Sequence, residues 1–106
     1  MKLRLFLCLL AITSQAADPI GDVTAPPAEL KLPPFYKKYI SAQGLPIVAS
    51  GAVNDYALKE TAYLANLMLA KRPDVRTAMI ANGSRVIIMG RAEFTTDVPE
   101  YAGFKP

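Results

Sequence analysis

Four acidic residues could supply a pair of carboxylates for chemistry, though the sequence gives no separations between them. Asp55 opens a helical stretch, and Glu93, Asp97 and Glu100 fall close together in "EFTTDVPEY". Two carboxylates at a suitable separation are the reagents of glycoside hydrolysis. Asp97 and Glu100 also bear the hard oxygen ligands that calcium takes, but their spacing matches no calcium-loop pattern. In a segment this rich in Thr, Asp and Pro, the same side chains commonly hold turns and cap short helices. The two alternatives for Asp97 and Glu100, lining a site or holding a turn, both remain open on the sequence.

Other reagents are scarce. The chain has no His and a single cysteine, Cys8. A catalytic zinc draws on nitrogen, sulfur and carboxylate ligands, usually with His among them. A serine nucleophile needs an imidazole beside it, so Ser14, Ser41, Ser50 and Ser84 lack their activating partner. Gly51 and Gly90 fit neither a dinucleotide fingerprint nor a phosphate-binding loop. "NGS" at Asn82–Ser84 is a glycosylation sequon, yet its Asn-Gly pair already serves as a helix stop. The sequence therefore assigns no catalytic, cofactor-binding or metal-ligating residue.

The elements that must position these groups begin after a leader. Lys2 and Arg4 precede an apolar run from Leu5 to Ile12, and Ser14-Gln15-Ala16 follows with small side chains suited to a signal peptidase. That run is well short of the roughly 20 residues of a bilayer-spanning helix. Residues 1–16 are thus expected to be a signal peptide, with the mature chain secreted or periplasmic after cleavage near Ala16. Cys8 would leave with it. Removing Lys2 and Arg4 leaves 10 basic residues against 9 acidic ones, a net charge of +1. Such a surface offers no electrostatic footprint for nucleic acid or an anionic membrane.

Residues 17–34 carry five prolines and predict an extended leader with no helix or central strand, a short strand at Glu29–Leu32 being the one option. Residues 35–106 predict a small α/β segment. Phe35, Tyr36, Tyr39 and Ile40 share a face if 35–42 is a helix stopped by Gly44. "LPIVAS" predicts a strand at 46–50. Asn54 is a good N-cap for a helix over 55–71, in which Leu58, Ala62, Ala65 and Leu69 form a stripe and Leu64, Leu67 and Met68 widen it. A face that broad predicts a helix covered on more than one side. Pro73 opens a helix over 73–81, and Val86-Ile87-Ile88-Met89 predicts a buried strand at 85–89, parallel to the first. Two strands make an incomplete sheet, so further strands are expected in another part of a larger protein, in a sheet-completing partner, or in the leader. Parallel strands would bring Ser50-Gly51 and Gly90–Glu93 to one rim, with Asn54-Asp55 nearby, the edge where open α/β sheets place ligands.

The run "FYKKYISAQGLPIVASGAVNDYALKETAYLANLMLAKRPDVR", continued by "RVIIMG" and "EFTTDVPEY", resembles the N-terminal part of a secreted zinc-metallopeptidase-like family of bacteria and invertebrates. The likeness covers Phe35 to Tyr101. Longer members carry a downstream His-Glu-x-x-His helix, which would supply the zinc ligands and the general base. No residue of this chain occupies those positions. The resemblance therefore implies a non-catalytic leading section, with zinc expected only in longer members. The alternative is a stand-alone secreted binding or interaction module that pairs its open sheet edge with a partner.

Overall fold

The computed structural model describes residues 20–104, so the signal-peptide assignment to 1–16 and Cys8 lie outside the described residues. The chain is α/β. Strand β1 (Lys38–Ala42) runs antiparallel to β2 (Leu45–Ala49), two helices follow, α1 (Asp55–Leu69) and α2 (Pro73–Ala81), and β3 (Val86–Ile88) pairs parallel with β2. The sheet order is β1-β2-β3. Three-residue to six-residue 3₁₀ turns occupy Ala28–Leu30, Thr95–Asp97 and Pro99–Phe104.

The predicted helix over 35–42 is instead the first strand of a hairpin. Gln43 (φ 52°) and Gly44 (φ 96°) form a two-residue turn with both central residues left-handed, the geometry that matches strand twist. Ser41 Oγ accepts the Gly44 N–H at 2.8 Å. The Gly that looked like a helix stop is a hairpin turn, and the residues before it follow a two-residue period. Lys38, Ile40 and Ala42 alternate with Tyr39 and Ser41. Ile40 enters the core beneath the helices while Tyr36 and Tyr39 pack on the opposite sheet face.

β2 is central yet contains Pro46, opposite Ser41. The Ala42–Leu45 pair closes the turn, so the next position on β2 points its nitrogen away from β1. Pairing with β3 begins only at Ile47–Val86, and Pro46 therefore sits where no ladder partner is needed.

Both faces of the sheet are covered. On one, Ile40, Ala42, Leu45, Ile47 and Ala49 pack against Leu58 and Ala62 of α1. On the other, Tyr36, Val48 and Val98 form a second cluster with Leu32, Phe35 and Ile87 at its margin. The Pro-rich segment supplies both sides: Ile20 and Val23 lie against the first cluster and Leu32 against the second. It crosses the outer edge of β1 through a bridge between Thr24 and Tyr39, with N–H to O distances of 2.9 and 2.8 Å. The expected strand option at Glu29–Leu32 is replaced by the 3₁₀ turn at Ala28–Leu30.

Asn54 caps α1 as its type predicts, its Oδ1 accepting the Tyr56 N–H at 2.8 Å. Among the described residues the helix is covered along one side, where the broad apolar face predicted cover on more than one. Leu58 and Ala62 are buried, whereas Leu64, Leu67 and Met68 are exposed, Met68 at 81%. α2 begins with Pro73 and ends as Asn82-Gly83 predicts. Gly83 (φ 72°) donates to Ile80 and Ser84 donates to Met79, the paired bonds of a Schellman stop. Among the described residues β3 is an edge strand of three half-buried residues, shorter than the predicted 85–89 and unpaired along its outer side.

Candidate functional site

The parallel pairing of β2 and β3 brings Ser50 and Gly90 to the same rim. Ser50 is 7% exposed, and its hydroxyl donates to Glu93 Oε1 at 3.0 Å. The same carboxylate oxygen accepts the Gly90 N–H at 2.6 Å, and Ser50 Oγ accepts the Ala52 N–H at 3.3 Å. A Cβ at Gly90 would stand 2.8 Å from Glu93 Oε1 and push that carboxylate aside. The rim is a clasp that ties the loop after β3 to the loop after β2. The chain has no imidazole to stand beside this hydroxyl as in a Ser-His-Asp triad.

The four acids are dispersed by their partners. Asp55 pairs with Lys38 Nζ at 2.7 Å, and that ammonium also donates to the Val53 carbonyl at 2.5 Å. Glu93 closes the rim. Asp97 reaches back to accept the Phe94 N–H at 2.8 Å, capping the start of the Thr95–Asp97 turn that it ends. Glu100 lies towards the other end of β3, where Arg85 Nη2 donates to its Oε1 at 2.8 Å and the Tyr36 hydroxyl donates to Oε2. No group of three or more His, Cys, Asp or Glu residues that could hold a metal ion occurs among the described residues. No helix there is long and apolar enough to cross a membrane.

Tyr36 and Glu100, which share a hydrogen bond, both depart from their ordinary titration. Burial pushes the Tyr36 hydroxyl well above its ordinary value, and its bond to the Glu100 carboxylate raises it further. Burial alone would raise Glu100. The bond from Tyr36, its own backbone N–H and the Arg85 guanidinium outweigh that, holding the carboxyl below its usual range. On the surface, Arg72 grips Asp74 with two bonds of 3.0 Å, which lowers the Asp74 carboxyl and raises the guanidinium.

Sequence reasoning brought Ser50, Gly90 and Glu93 together and missed Tyr36, Arg85, Asn66 and Arg76. The signal for Arg76 was available: it precedes Met79 and Ile80 by three and four residues, sharing their helix face. Arg76 is 8% exposed and donates from Nη1 to the Ala42 carbonyl, joining α2 to the hairpin. Comparison with known proteins finds no matching family model, no matching curated relative and no matching solved structure.

Proposed function

We propose that this chain is the non-catalytic leading section of a secreted zinc-metallopeptidase-like protein, and that it acts there as a module whose sheet the rest of the protein extends. The observation that carries the reading is the edge at β3. Val86, Ile87 and Ile88 have the apolar run of a strand buried between neighbours, yet among the described residues one side has no pairing strand. The clasped rim and the dispersed carboxylates support a scaffold role for these polar groups. The test is peptide hydrolysis by the homogeneous secreted chain, with and without added zinc, beside hydrogen exchange at β3. The expected result is no zinc-requiring cleavage and rapid exchange at β3 amides facing the open edge. Zinc-requiring cleavage by the chain alone would defeat the proposal.

The exposed apolar side of α1, with Tyr63, Leu64, Leu67 and Met68, favours a second reading as a stand-alone interaction module. Sedimentation separates the two. A cooperatively melting dimer supports the module, and a monomer of low stability supports the leading section.

A further inference from the structure

A groove of about 340 Å³ lies between the C-terminal half of α1 and the start of α2. Tyr63, Leu67, Leu69 and Pro73 make its lining largely apolar. Gln43, Arg76 and Asn66 interrupt that lining, and the last two carry unmet polar demands. Arg76 is nine-tenths buried, bonds a neutral carbonyl, and has no carboxylate within ion-pairing distance among the described residues. The one acid of α2, Asp74, is already held by Arg72. A guanidinium carries five donors, and a buried charge without a counter-charge is costly. The second group is Asn66, whose Oδ1 is the one buried side-chain polar atom left without a hydrogen bond among the described residues.

A single ligand chemistry answers both deficits. We propose that this groove binds a free peptide C-terminus whose last side chain is apolar. The carboxylate pairs with the Arg76 guanidinium, the bond type for which a planar fork is suited. The terminal amide N–H donates to Asn66 Oδ1, reached by a turn of the amide about its Cβ–Cγ bond. The apolar side chain lies against Leu67 and Leu69. A fatty carboxylate offers the same charge but no N–H, and leaves Asn66 without a donor. The groove uses no residue of β3, so the inference stands or falls separately from the edge proposal.

The test is a titration of the ¹⁵N-labelled secreted chain, followed at the Arg76 Nε–H and the Asn66 side-chain amide. The probes are acetyl-Ala-Leu-Leu with a free carboxylate, the same peptide amidated, and octanoate. Saturable shifts are expected for the free acid, with the amide and octanoate each weaker by at least about ten-fold. Arg76→Lys weakens the acid by a similar factor, since an ammonium cannot reproduce the fork. Because Arg76 also braces the hairpin, the deciding variant is Leu67→Glu, a change at a residue 57% exposed that sets a like charge over the groove. It is expected to abolish binding while leaving the melting temperature unchanged. Equal shifts for acid and amide, octanoate binding as tightly as the peptide, survival of binding in Leu67→Glu, or no response at about 10 mM would each overturn the proposal.

Discussion

Replacing Tyr36 by Phe removes one oxygen and leaves the ring in place, so it isolates the bond to Glu100. Tyr36 is 3% exposed and its ring packs in the cluster with Val48 and Val98, which Phe preserves. A hydrogen bond to a charged group contributes about 1.5–3 kcal/mol. The Glu100 side chain is 28% exposed, so water takes up part of the lost bond, and the expected loss is about 1–2 kcal/mol. For a domain of this size each kcal/mol lowers the melting temperature by about 4–8 °C. The pH dependence follows from the two shifts. Glu100 is lowered from 4.5, so its contribution is complete above that value and is lost as pH falls through the folded-state pKa. Tyr36 is raised from 10.0, so its contribution is complete below that value and is lost as pH rises through the folded-state pKa. Denaturant melts of wild type and Tyr36→Phe should therefore differ by a constant amount between about pH 5 and 10 and converge on either flank. A difference of zero at neutral pH, or one that does not narrow in acid, would refute the reasoning.

Three further outcomes are expected. Gly44→Ala sets a Cβ in a residue at φ 96° and 3.0 Å from Ile80 Cδ1, and thermal melts should show a loss of about 1–2 kcal/mol. Ser50→Ala and Glu93→Ala should each destabilise the chain, and the double variant should lose less than the sum by about 0.5–2 kcal/mol in a denaturant double-mutant cycle, since both act through one clasp. Asn66→Leu removes a buried acceptor without a donor and should stabilise the chain by about 1 kcal/mol in urea melts, while weakening the free-acid peptide.

The helical part of the fold was legible because its signals are local. Asn54, Pro73 and Asn82-Gly83 mark helix ends within a few residues, and all three do so in the structure. The parallel relation of β2 and β3 followed from two apolar runs with helices between them. β1 was illegible for a physical reason. Phe35, Tyr36, Tyr39 and Ile40 satisfy a helical period, while Ile40 and Ala42 satisfy a strand period, and only pairing with Leu45–Ala49 decides between them. The outward half of α1 was misjudged because periodicity reports which residues are apolar, not whether a neighbour lies against them. At the site, Ser50, Gly90 and Glu93 could be placed from strand ends. Tyr36 and Glu100 are 64 positions apart, and their contact depends on both faces of the sheet being covered.

The two margins of the sheet are unequal. At β1 the segment around Thr24 already occupies the backbone groups of Tyr39, whereas among the described residues no strand pairs with the outer side of β3. Among the described strands, β3 is therefore the margin open to lateral growth along its whole length. Two copies meeting through that side would exhaust the free hydrogen-bonding row of each, giving a closed pair instead of an unlimited ribbon.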